Sequence, residues 1–142
     1  MSSKQGEKIS EIADYMRETH GLPLTADKFE AIFQDRGCVF HPVKMVYDKD
    51  PLKEGEFAYM HQADKDPSKG FMLYMHPFFK SKPNDLPFLV AYQLAVVNFG
   101  EEVSQDVAES FGAALMDMKV DEYYDKVNEL FESIIVLKGC SL

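Results

Sequence analysis

Three consecutive stretches within residues 38–79 alternate apolar and polar side chains with a period of two, the pattern of half-buried β-strands. Two segments rich in aspartate, proline and glycine, residues 48–55 and 64–70, separate these stretches and favour reversals of the chain. The simplest topology is an antiparallel meander of three strands. Because Pro42 lacks an amide proton, the first strand is expected at a sheet edge or at a bulge.

Helical periodicity flanks this central part on both sides. Apolar residues three and four positions apart predict five helices, over residues 4–20, 26–36, 86–97, 101–116 and from 121 onward. Residues 112–120 also alternate with a period of two, so a fourth strand is the alternative there. We therefore expect a single α+β domain over residues 1–142, with a three-stranded or four-stranded antiparallel sheet packed by about five helices.

Each predicted helix has an apolar face that should be buried. The first is expected to bury Ile9, Ile12, Ala13 and Met16; the second, Phe29, Ile32 and Phe33. The last is expected to bury Tyr124, Val127, Phe131, Ile134 and Ile135. All of these helices should therefore pack against one shared core.

The charge of the chain limits its partners. The net charge of the 142 residues is −9, and residues 101–132 hold ten acids against two lysines, a local balance of −8. Nucleic acid is not expected as a partner, because binding to phosphates requires clustered lysine and arginine. No apolar run is long enough to span a bilayer, and the first residues lack a secretory signal, so a cytoplasmic protein with reduced Cys38 and Cys140 is expected.

Three histidines, His41, His61 and His76, fall inside the predicted strands. If the first two strands pair around a reversal near Pro51, His41 lies opposite His61 and the two rings could bind a metal. In the second hairpin His61 pairs with Met72, which leaves His76 about 13 Å away along the strand. A packing role is favoured over a metal for all three, and no cofactor is expected. Such a histidine would pack its ring against neighbouring aromatics.

An enzyme remains the alternative function. The chain lacks the glycine-rich phosphate loop, the nucleophile elbow and the zinc-protease helix motif. Cys38 and His41 lie three residues apart, so on a regular strand they point to opposite faces. The remaining candidates for acid–base chemistry are His41 or His61, assisted by Tyr59 or Tyr74 in a pocket between the sheet and a helix.

The preferred hypothesis is a non-enzymatic binding or adaptor module. Four methionines in the predicted strands, Met45, Met60, Met72 and Met75, are candidates for lining a groove that accepts a peptide or another hydrophobic partner. An exposed strand edge and a methionine-rich face also favour self-association, so a homodimer is expected.

In size, acidity and terminal helices the chain is similar to the small acidic secretion chaperones, which bind unfolded segments as dimers. No specific motif carries this similarity. Those chaperones also place additional strands after the middle helix, where this chain is predicted to be helical. The similarity therefore assigns no family.

Overall fold

A computed structural model describes the backbone of residues 2–140 and the side chains of residues 2–134. Three strands form one sheet: β1 (Val43–Tyr47), β2 (Ala58–Gln62) and β3 (Phe71–Met75). Five α-helices surround it: α1 (Ser3–Thr19), α2 (Phe29–Phe33), α3 (Leu86–Phe99), α4 (Gln105–Leu115) and α5 (Val120–Cys140). The α+β class is confirmed.

The sheet is mixed, with strand order β1-β3-β2. β2 and β3 form the expected antiparallel hairpin, in which His61 stands opposite Met72. β1 instead runs parallel to β3, so the prediction of a fully antiparallel meander is wrong for the first strand. Aspartate, proline and glycine in residues 48–55 mark a change of direction, but they do not specify which strand becomes the neighbour. The expected edge position of β1, signalled by Pro42, is confirmed.

One face of the sheet closes over the hydrophobic core. The central strand contributes Phe71, Leu73 and Met75, all of which are buried. Helix α3 is apolar on nearly every side and contacts both β2 and α4. A helix of this composition is stable in water only when neighbours cover it on several sides, which explains its place in the middle of the fold.

Helices α3, α4 and α5 meet at Tyr123, which is fully buried. Its hydroxyl donates a 2.6 Å hydrogen bond to the carbonyl of Phe88 in α3. Its ring lies directly over Gly112 of α4, where an added Cβ atom would come within 2.3 Å of the ring. Glycine at position 112 therefore allows α5 to pack closely against α4.

The helix predictions are mostly confirmed. The four residues expected on the inner face of α1 and the three on that of α2 are all buried. The second helix is shorter than expected, because a 3-10 turn (Ala26–Lys28) precedes it and Thr25 makes no capping bond. The helix expected from residue 101 begins only at Gln105, where the Ser104 side chain caps it.

In the C-terminal third, the alternative of a fourth strand and one expected burial are wrong. Residues 112–120 are not a strand, since α4 continues to Leu115 and a short turn leads into α5. In α5, Tyr124 was expected to be buried but is exposed. Tyr123 is buried instead, as are Leu130 and Ile134 further along the same helix. The predicted inward position of Ile135 and the redox state of Cys140 lie outside the described side chains.

Within the described residues, no helix is both long and apolar enough to cross a bilayer.

The contact between Gly112 and Tyr123 predicts opposite effects for two glycine substitutions in helices. Gly112→Ala should lower the free energy of unfolding by about 1–3 kcal/mol, because the new methyl group overlaps the Tyr123 ring. Gly6→Ala in α1, where nothing lies within 4 Å, should raise it by about 0.5–1 kcal/mol through helix propensity alone. Urea denaturation of both variants tests this, and equal effects would contradict the close contact.

Candidate functional site

In the part of the chain that the structure describes, no layer of helices covers the second face of the sheet. Side chains from all three strands share this face, which we call the open face: Lys44 and Val46 of β1, Met72 and Tyr74 of β3, and Tyr59 and His61 of β2. Val46 and Tyr59 are each 39% exposed, and none of the six is buried. Apolar side chains left in water on adjacent strands are typical of an interaction surface.

Three rings form a compact cluster on the open face. Tyr59 and Tyr74 stand opposite each other on paired strands with centroids 6.4 Å apart and nearly parallel planes. The His61 ring lies 5.7 Å from Tyr59 and 6.4 Å from Tyr74. The Tyr59 hydroxyl and His61 Nδ1 are 3.3 Å apart. The structure thus brings together three of the four residues that the sequence offered for acid–base chemistry, on an open surface rather than in a pocket under a helix.

A cavity of about 400 Å³ adjoins the open face at β1. Phe29 and Phe33 of α2 form one wall, and their stacked rings have centroids 5.6 Å apart. The strand side of the cavity includes Val43 to Val46 and Met72. Because Lys44, Val46 and Met72 belong to both features, the cavity and the open face form one continuous surface.

β1 also presents a strand edge beside this cavity that pairs with no other described strand. Phe71 N donates to the Pro42 carbonyl at 2.8 Å, and Asp48 N donates to the Met75 carbonyl at 3.1 Å. In a parallel ladder, every second residue of a strand bonds to the same neighbour through its amide and carbonyl groups. Here the even-numbered residues of β1 bond to β3, so the amide and carbonyl groups of Val43, Met45 and Tyr47 point outward. An outward row of this kind can pair with another extended chain.

The four candidate methionines do not share one surface. Met60 and Met75 are buried in the core under the helices. Met45 lies half-buried on that same side of the sheet and lines the cavity, whereas Met72 lies on the open face. Two of the four, Met45 and Met72, therefore border the cavity beside α2.

The structure does not bring His41 and His61 together. β3 lies between β1 and β2, which places the two outer strands about 9.5 Å apart. His41 precedes β1, and the centroid of its ring lies 6.0 Å from the centroid of the Phe71 ring. His76 follows β3, and its Nδ1 accepts a hydrogen bond from Phe78 N at 3.0 Å. These residues form no shared metal site.

A second cluster, which the sequence did not reveal, lies where α1 ends. His20 Nε2 is 2.7 Å from Asp35 Oδ2. Tyr15 donates its hydroxyl to Asp35 at 2.9 Å, and the Gly37 amide donates to Asp35 Oδ1 at 2.9 Å. The Sγ atom of the buried Cys38 lies within 4.8 Å of the ligand atoms of both Asp35 and His20. We call His20, Asp35 and Cys38 the turn cluster.

The environment of the turn cluster changes the acidity of its groups. Burial raises the pKa of the Cys38 thiol to about 12, and the neighbouring Asp35 carboxylate adds to the rise. Burial also acts to raise the pKa of the Asp35 carboxyl. Hydrogen bonds from His20, the Gly37 amide and Tyr15 outweigh that effect, so its pKa lies below the ordinary value.

Sequence spacing contained only a weak signal for the turn cluster. Asp35 and Cys38 are three residues apart across a tight turn, in which the Cys38 and Val39 amides both donate to the Asp35 carbonyl. His20 is fifteen residues from Asp35 and lies at the C-terminal end of α1, where a histidine is common for reasons unrelated to a site. Only the packing of α1 against the turn joins them.

Comparisons with protein-family models, with curated proteins and with solved structures found no match for this chain. Its function must therefore be inferred from the surfaces themselves.

The raised pKa of Cys38 predicts slow thiol chemistry in the folded protein. At pH 8 a pKa of about 12 leaves about one thiol in ten thousand ionised, against roughly one in ten at the ordinary value of 9.0. In a Cys140→Ser background, a disulfide reagent should modify Cys38 at least about a hundredfold more slowly in the folded protein than in urea. Equal rates would show that the thiol is accessible and ionised.

Proposed function

We propose that this protein is a binding module that holds an extended apolar segment of a partner protein against the open face and the β1 edge. The observation that carries the proposal is the cavity between α2 and β1, which joins an unpaired strand edge to a surface of exposed apolar side chains. Addition of a strand at such an edge supplies main-chain hydrogen bonds, and a side-chain pocket beside it supplies specificity.

Size supports an apolar side chain of the partner as the occupant of the cavity. A volume of about 400 Å³ falls at the small end of the range for ligand sites. Its walls include Phe29, Phe33 and Met45, which offer aromatic and thioether surface. Methionine adapts to partners of different shape, so we expect tolerance among apolar side chains rather than selection of one.

Charge favours a partner with basic residues beside the apolar ones. Glu30 lines the cavity at one end of the surface. At the other end, Glu56 and Glu101 line a hollow next to Tyr59. The chain as a whole carries a net charge of −9. Lys44 also lines the cavity, so lysine or arginine in the partner segment would meet complementary charge mainly at Glu56 and Glu101, which would speed association.

The two exposed valines provide a matched test of the binding surface. Val46 on the open face is 39% exposed, and Val120 at the start of α5 is 43% exposed. A short peptide that alternates lysine with valine and leucine serves as the probe. Val46→Asn should weaken its binding at least about tenfold, because a side-chain contact in the interface is lost, while Val120→Asn should leave it unchanged.

Calorimetry measures both affinities, and thermal melts check that each variant is folded. The same peptide with glutamate in place of lysine should bind more weakly than the lysine peptide. If neither peptide binds, or if the two valine variants behave alike, the proposal is wrong.

A second copy of the chain is the competing occupant of the β1 edge, in line with the homodimer expected from the sequence. Antiparallel pairing centred on Met45 would place Lys44 opposite Val46 of the second copy, so that the two lysines avoid each other. We propose that two copies pair in this way when no partner segment is bound.

This pairing predicts the effect of removing one outward amide. Met45→Pro should convert the homodimer to a monomer at micromolar concentration without loss of the fold, because the Met45 amide does not bond to β3. Light scattering measures the mass. A wild-type monomer, or a dimer that survives the substitution, would contradict pairing through β1.

A further inference from the structure

The turn cluster combines the three side-chain types that most often bind zinc. An imidazole, a carboxylate and a thiol offer one donor atom each, and these atoms all lie within 4.8 Å of one another. Tetrahedral zinc with bonds of 2.0–2.3 Å holds its ligands about 3.3–3.6 Å apart. Small side-chain rotations would therefore bring His20 Nε2, an Asp35 oxygen and Cys38 Sγ to that spacing.

From this geometry we propose that His20, Asp35 and Cys38 form a zinc-binding site. The proposal is independent of the peptide-binding surface, because the cluster shares no residue with the open face or with the cavity.

The backbone around the site is held in place from two directions. Asn98 of α3 donates to the Cys38 carbonyl at 2.9 Å and accepts from the Phe40 amide at 2.8 Å. On the other side, His20 caps α1 and its own amide bonds to the Met16 carbonyl at 2.8 Å. Two helices thus fix the ligands before any metal arrives, which reduces the cost of ordering them on binding.

Tyr15 and Gly37 would orient the carboxylate ligand. The Tyr15 hydroxyl and the Gly37 amide both donate to Asp35. Outer-shell donors of this kind hold a ligating carboxylate in position and raise metal affinity. A Cβ atom at position 37 would lie 2.3 Å from the Tyr15 ring, so glycine permits this arrangement.

Partial exposure of two of the ligands would let a fourth ligand reach the metal from solvent. Cys38 is buried, whereas the side chains of His20 and Asp35 are 14% and 19% exposed. Three protein ligands with an open position are typical of zinc sites that bind a water or a substrate. Thiolate, carboxylate and Zn²⁺ together sum to zero charge, which suits a site that is largely shielded from water.

Metal-free protein in a Cys140→Ser background provides the test. Titration with Zn²⁺ by calorimetry should give one ion per chain, and Co²⁺ should produce a thiolate-to-cobalt charge-transfer band. His20→Gln, Asp35→Asn and Cys38→Ser should each lower the zinc affinity more than about tenfold, and Tyr15→Phe should lower it up to about tenfold. His41→Gln, a histidine outside the cluster, should bind zinc like the parent.

His20→Gln is the most informative variant, because His20 lies at a helix end and its substitution should leave the fold intact. A thermal melt without metal checks that this variant is folded. Zinc should raise the melting temperature of the parent and not that of His20→Gln. The proposal is overturned if Co²⁺ gives no thiolate band, or if His20→Gln binds zinc as tightly as His41→Gln.

Discussion

Burial of the central strand on one side only is the constraint on which the rest of the structure depends. Phe71, Leu73 and Met75 of β3 point into the core, where α3 and the neighbouring helices cover them. Because side chains alternate along a strand, Met72 and Tyr74 must then point the other way. The residues on that side are all at least partly exposed, so among the described residues no helix forms a second layer over it, and only α2 borders it at β1. An exposed aromatic surface results directly from this arrangement.

Local sequence patterns predicted the elements well. Period-two alternation placed three strands within residues 38–79, and the register of β2 with β3 followed from the turn length. Helical stripes found the buried faces of α1 and α2. These features depend on neighbours in the chain, which a sequence displays directly. The same patterns were ambiguous where Gly112 to Val120 satisfied both periods; there α4 continues to Leu115 and a turn leads into α5.

Features that depend on distant contacts were not predictable. The parallel pairing of β1 with β3 joins segments about 28 residues apart, as in Val43 with Phe71, and no turn motif specifies it. That pairing separates His41 from His61, whereas the cluster of Tyr59, His61 and Tyr74 is formed by the predicted hairpin of β2 and β3. The turn cluster likewise needs α1 packed against residues 35–38. In both cases the residue types were visible in the sequence, and only the three-dimensional packing showed which of them meet.

The strand order also implies a sequence of folding events. β2 and β3 are joined by a short connection, so their hairpin can close early at small entropic cost. β1 cannot join until β3 is in place, and its pairing spans a much longer loop. We therefore expect β1 to be the last of the three strands to dock and the first to detach. Its site on β3 is then the part of the sheet where a foreign strand could compete during synthesis or local unfolding.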